Sequence, residues 1–276
     1  MKKLVVLLIL FFVIGCINKK EITWVAIGDS ITYLNEHTNE TGNRVTKGYM
    51  TLVTEKLPNI HYINHGYNGW TSGGIAGAIE NLNFQKAYVY SILLGTNDWW
   101  QGRPVGTFKD YQNNTGSKTF YGAFRIIINK LNSLNKNARI ILITPMQRAD
   151  FVYINDMNNN AYGSYKEKNG QSLEQFANAI DSIANYEHVK VVDLFHNGGM
   201  TIKDLVKYKR LKDPQSGTYK NYPYPEYIDI PLNPETDEYP YPVDAIDITY
   251  DGLHPSDKGN AVIAEMLVKI MEKIKE

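Results

Sequence analysis

Five short apolar runs, each separated from the next by a stretch with helical spacing, limit this chain more than any other feature. Residues 22–27, 60–63, 89–94, 140–144 and 189–194 are rich in β-branched side chains and bounded by Gly, Asn, Pro or Asp. Unbroken apolar runs of this length suit strands covered on both faces. In "FYGAFRIIINKLNSLN", Phe120, Phe124, Ile127, Ile128, Leu131 and Leu134 recur every three or four residues and line one helical face. "SLEQFANAIDSIA" opens on Ser172, a cap candidate, and places Leu173, Phe176, Ala177, Ile180 and Ile183 on one side. Ile263, Met266, Leu267, Ile270 and Ile274 do the same for a C-terminal helix. Such alternation predicts an α/β fold: a three-layer α/β/α sandwich around a mainly parallel sheet of five strands. In sheets of this kind ligands bind beyond the carboxyl ends of the strands.

One region departs from the rhythm. Between about residues 197 and 247 periodicity is weak, and "TYKNYPYPEYIDIPLNPETDEYPYP" is dense in Tyr and Pro. Proline removes backbone donors, which argues against helix or central strand. The segment reads as a long ordered insertion over the surface, within one domain spanning residues 17–276.

The first sixteen residues, "MKKLVVLLILFFVIGC", read as an export signal. Lys2 and Lys3 precede an apolar run too short to span a bilayer comfortably. "VIGC" resembles a bacterial lipobox, which makes Cys16 the acylated first residue of a lipid-anchored mature chain. An ordinary signal peptide with an incidental cysteine is the alternative. Cys16 is the only cysteine. A disulfide, a thiolate metal cluster and a cysteine nucleophile are therefore excluded from the folded part. Lysine plus arginine balance aspartate plus glutamate at 29 each, so no basic field points to nucleic acid. A near-neutral chain would be held at a membrane by lipid rather than by charge.

Chemistry-bearing residues cluster where the predicted strands end. Ser30 follows the first, in "WVAIGDSITY", where Asp29 and Ser30 are also good helix caps. The second ends in "INHGYNGWTSGG", whose glycines let backbone amides approach a ligand. After the third, "LLGTNDWW" offers the Asn97 amide, an oxyanion donor or the start of an Asx turn. Near the C-terminus, "DGLHPSD" places His254 before a proline, outside the final helix, with Asp251 three residues upstream. Folded back, Asp251 would fix the imidazole tautomer and free the other nitrogen as a base. His61 and His65 sit four apart across a predicted strand end and need not share a face, so no metal or cofactor is expected.

Together these blocks resemble the SGNH (GDSL-type) hydrolases. "GDS" matches the nucleophile block, "NHGYNG" the glycine block, "GTND" the asparagine block and "DGLH" the acid–base block. Ile31 stands where that family often has leucine. The resemblance implies a flavodoxin-like sandwich and a Ser30–His254–Asp251 triad. It also implies an oxyanion hole formed by Ser30, Gly69 and Asn97. It further implies ester hydrolysis, with removal of O-acetyl groups from carbohydrates as the leading expectation. Lipase, lysophospholipase or thioesterase activity with the same residues is one alternative; a non-catalytic glycan-binding lipoprotein is another. Trp99 and Trp100 are expected to flank the entrance as substrate contacts. Tyr219, Tyr222, Tyr224, Tyr227, Tyr239 and Tyr241 offer either sugar platforms or ordinary packing.

Overall fold

The computed structural model describes residues 20–274. Cys16 and the segment before it lie outside them. In chain order the first half runs β1 (Ile22–Gly28), α1 (Ser30–Tyr33), α2 (Tyr49–Lys56), β2 (Ile60–Gly66), α3 (Ser72–Gly77), β3 (Val89–Leu93) and α4 (Thr96–Trp100). Then come α5 (Phe108–Gln112), α6 (Phe120–Leu134), β4 (Arg139–Ile143), β5 (Phe151–Tyr153), β6 (Asp156–Ala161) and α7 (Leu173–Glu187). The chain finishes with β7 (Lys190–Val192), β8 (Lys209–Lys212), β9 (Tyr219–Tyr222) and α8 (Asp257–Met271). Five strands form one sheet in the order β2-β1-β3-β4-β7, every pair parallel.

The sheet is apolar on both faces because neighbouring residues of each strand enter different cores. Trp24 and Ala26 of β1 join Val89, Leu93, Ile141 and Ile143 on the side covered by α2 and α8. Val25 and Ile27 join Tyr90, Ile92, Ile140 and Leu142 on the side covered by α3, α6 and α7. Period-two alternation with no polar face is what a doubly covered parallel sheet requires. A buried polar pair inside it is matched: Trp24 Nε1 donates to Ser91 Oγ at 2.8 Å.

Local signals agree with these elements. Ser172 caps α7 by accepting from the Gln175 amide, and Gln175 closes the reciprocal bond of a capping box. Ser256 accepts from the Gly259 amide at the start of α8. The last sheet strand is shorter than residues 189–194 suggest, because Asp193 leaves the ladder to bind the His196 amide. β2 is longer than expected and reaches Gly66, which places His61 and His65 on one side of that strand. Each is engaged elsewhere: His61 with Glu21, and His65 with Tyr67 and Gln85.

Two antiparallel hairpins stand outside the main sheet. β8–β9 lies inside the Tyr/Pro-rich insertion, which is thus more regular than its composition suggests. β5–β6 follows β4 directly and was not anticipated. Its second strand reads "DMNNNA" and lacks the alternation that marks a strand in sequence. No helix among the described residues is long and apolar enough to cross a membrane.

Candidate active site

Ser30 begins α1 immediately past the carboxyl end of β1, and the capping role falls to its neighbour. Asp29 Oδ1 accepts from the Ile31 amide at 3.0 Å, which leaves the Ser30 hydroxyl uncommitted to the helix. Gly28 allows the tight turn into the helix: a Cβ there would meet Thr32 Oγ1 at 2.1 Å. Asp29 is buried, and that burial pushes its carboxyl up to about 6, opposed by the Ile31 amide and the nearby His254.

His254 arrives from the other end of the chain. Its Nε2 lies 2.9 Å from Ser30 Oγ across 224 residues of sequence, and its Nδ1 lies 2.7 Å from Asp251 Oδ2. A carboxylate at Nδ1 keeps the ring proton there and leaves Nε2 as acceptor of the serine hydroxyl hydrogen. Asp251 is fully buried and holds its own loop, since Oδ1 accepts from the Leu253 amide at 3.0 Å and the His254 amide at 2.7 Å. The imidazole is wedged between rings: Tyr250 stacks on it at 5.9 Å, and Phe151 meets it edge-on at 5.4 Å. Pro255 keeps this histidine out of α8, as expected.

Two further loops close on the serine. Gly69 has φ +71°, a left-handed conformation that disfavours any side chain even though the space beside it is open. Asn97 Nδ2 donates to the Trp70 carbonyl at 3.1 Å, and Gln101 Nε2 donates to the Gly69 carbonyl at 2.8 Å. The glycine turn is thus gripped by α4. Asp98, unremarked in the sequence reading, makes the grip stronger: fully buried, it accepts from the Ser72 amide and hydroxyl and pairs with Arg103 Nε at 3.2 Å. Its position beside Asn97 was the only available signal. Among the described residues, the backbone N–H groups of Ser30 and Gly69 donate to no protein acceptor, as suits groups facing a developing oxyanion.

These residues line one cavity of about 460 Å³, with Ser30, Gly69, Asn97 and His254 in its wall. Of the two tryptophans only Trp100 reaches it. Trp99 is fully buried instead, its Nε1 donating to the Gln171 carbonyl at 2.9 Å. None of the six insertion tyrosines lines the cavity, and Tyr227 and Tyr241 are fully buried. Those two rings pack the insertion onto the domain. The β5–β6 hairpin contributes to the cavity wall through Phe151, Tyr153, Asn159 and Ala161. Among the described residues, Asp181, Asp193 and His196 bring three ligand-type atoms within 4.8 Å of one another, a cluster apart from the residues lining this cavity.

Comparison with known proteins agrees with this fold. The model of the GDSL-like lipase/acylhydrolase family matches residues 26–262. A solved structure described as a possible lipase from Chitinophaga pinensis is 62% identical, with TM-score 0.91, covering 92% of this chain and 98% of its own. Two more distant structures share the fold. An acetylxylan esterase from Geobacillus stearothermophilus is 17% identical over 91% of this chain and 94% of its own, TM-score 0.51. A lipase/acylhydrolase from Enterococcus faecalis is 16% identical over 92% and 99%, TM-score 0.51. No curated protein matches. The family match spans all four blocks that meet at the cavity, and this chain belongs to the GDSL-like lipase/acylhydrolase family.

Proposed function

We propose that this chain hydrolyses carboxylic esters through Ser30, His254 and Asp251, and that its substrate is an O-acetylated carbohydrate. The observation that carries the reading is the unbroken relay from Asp251 Oδ2 to His254 Nδ1, and from Nε2 to Ser30 Oγ, at 2.7 and 2.9 Å. His254 takes the serine proton as Oγ attacks the ester carbonyl, then returns it to the leaving alcohol. It next deprotonates the water that releases the acid. The tetrahedral oxyanion is met by the Ser30 and Gly69 amides and the Asn97 side chain, whose fixed dipoles need no rearrangement.

The cavity supports that substrate class. About 460 Å³ lined by Asn68, Gln101 and Asn159 beside Trp100 suits a sugar ester with a small acyl group. A long acyl chain would call for a continuous apolar groove. That an acetylxylan esterase shares the fold is consistent with the same class of substrate. With Cys16 acylated, the enzyme would work at the surface of a bacterial membrane.

The test is acetate release from acetylated glycans, beside an aryl ester series from acetyl to dodecanoyl. Turnover is expected to fall as the acyl chain lengthens, and Ser30→Ala to lose roughly 10⁴-fold or more. Near-wild-type rates from purified Ser30→Ala protein would overturn the serine assignment. A maximum at long chains would replace the acetylesterase reading with a lipase or thioesterase.

A further inference from the structure

We propose that Arg148 is a carboxylate-recognition subsite of this cavity, so that the preferred ester carries an acid group near the bond cleaved. The proposal rests on the esterase reading and specifies its substrate. Arg148 lines the cavity together with Ser30, Asn97 and His254, yet is only 2% exposed. Its Nη2 donates to the Tyr162 carbonyl at 2.8 Å, while Nε is buried with no partner among the described residues. The guanidinium lies over the rings of Trp100 and Trp99, at 4.8 and 5.1 Å from their centroids.

A buried cation ordinarily pairs with an acid, and this one does not. The two acids that influence it are Asp150 and Asp251, and both are committed elsewhere. Asp150 accepts from the Gly163 amide, the Tyr165 hydroxyl and Lys209 Nζ. Asp251 accepts from two amides and the imidazole. Burial lowers the guanidinium to about 10, so it stays charged at neutral pH. The remaining ionisable side chains in the cavity wall are Glu40, bound by the Tyr33 hydroxyl, Tyr153, Tyr250 and the catalytic histidine. Arg148 is thus the one permanent cation of the lining. With Nη2 bound to a carbonyl and Nε without a partner, the fork has donors to spare for a carboxylate, which binds in the guanidinium plane.

The carboxylate has two sources. On the alcohol side it would be a uronic acid ring carrying the acetyl ester; on the acyl side, the free end of a dicarboxylic acid monoester. Each is tested against a neutral partner of similar shape: methyl 2-O-acetylglucuronoside against methyl 2-O-acetylglucoside, and monoethyl succinate against ethyl butanoate. In one arm the wild-type enzyme is expected to prefer the acid by ~10-fold or more in kcat/KM, the effect of one charge-assisted contact. Arg148→Met should bring that ratio close to one, and Arg148→Lys, which keeps charge without the fork, should fall between. No acid preference in either arm, or equal losses on acid and neutral esters in Arg148→Met, would overturn the subsite. If that variant fails to fold, competitive inhibition of the wild type decides. Methyl glucuronoside or succinate must then inhibit at least tenfold better than its neutral counterpart. Hydrolysis of the neutral esters reports separately on the esterase reading.

Discussion

Two irregular regions of this molecule lie against the same loop, and they differ in what they do. The loops at the carboxyl edge of the sheet hold Ser30, Gly69, Asn97 and His254, each fixed by a few short-range bonds. The Tyr/Pro-rich insertion contributes nothing to the cavity wall. It reaches inward at its root instead. Tyr239 Oη donates to the Val152 carbonyl at 2.8 Å, Tyr241 Oη to the Asp150 carbonyl, and buried Lys209 pairs with Asp150 at 2.9 Å. That stretch in turn carries the acid loop: the Ala149 amide donates to the Gly252 carbonyl and the Val152 amide to the Asp251 carbonyl. Gly252, with φ +89°, fits against Asp150 so closely that a Cβ would meet its carbonyl at 2.0 Å. One region holds the proposed catalytic groups; the other braces the segment on which Asp251 rests.

The difference can be broken from the insertion side. Lys209→Met leaves Asp150 without its cation, and removing one partner of a buried pair costs about 3–5 kcal/mol. Unfolding in denaturant is expected to show that loss, with Ser30 chemistry intact in the molecules that remain folded. A variant as stable as wild type would mean that the insertion does not brace the acid loop.

From the catalytic side, Asn97→Ala removes one proposed oxyanion donor and the bond to the Trp70 carbonyl. The expected change is roughly 10²–10³ in kcat, about 2.7–4 kcal/mol in the barrier, with a measurable remnant. A change confined to KM would place Asn97 in ground-state binding instead.

A third experiment uses pH. The Asp29 carboxyl is raised to about 6, chiefly by burial, so its contribution to stability is complete below its ordinary value near 3.8 and disappears as pH rises through about 6. Buried Asp98 is also raised, again chiefly by burial, and adds a slope of the same sign. Asp29→Asn keeps an oxygen for the Ile31 amide and has no charge to bury. Relative to wild type it should gain up to roughly 3 kcal/mol between pH 4 and pH 7, the free-energy equivalent of the rise from 3.8 to about 6. Parallel pH–stability curves for the two proteins would refute that source of the slope.

The sheet and both helical layers were legible because period-two and period-3.6 burial leaves a direct imprint on residue order. Ser30, Asn97 and the Asp251–His254 pair were legible for another reason: each sits one turn beyond a strand or before a helix, where local backbone rules fix its placement. Arg148 and the β5–β6 wall were not. A buried arginine in "TPMQRAD" has no periodic signature, and "DMNNNA" pairs as a strand without apolar alternation. Trp99 and Trp100 show the same limit at single-residue scale. Adjacent on a helix they point about 100° apart, and residue order alone does not say that Trp99 faces the core and Trp100 the cavity.

The smallest expected effect separates the two roles of an insertion tyrosine. Tyr219 Oη accepts from the Glu238 amide at 2.8 Å, and its ring lies beneath Arg210 and Lys212, at 5.4 and 5.5 Å from its centroid. As packing, Tyr219→Phe loses one partly exposed hydrogen bond, about 0.5–1.5 kcal/mol in stability, and leaves KM for acetylated glycans where it was. As a sugar contact at a distance from the cavity, the same change would raise KM for a polymer while sparing a small aryl acetate. The cations over the ring favour the first outcome, because a face already occupied by a guanidinium and an ammonium has little room for a sugar. A polymer-selective rise in KM would therefore extend the binding surface well beyond the cavity and return the insertion to function.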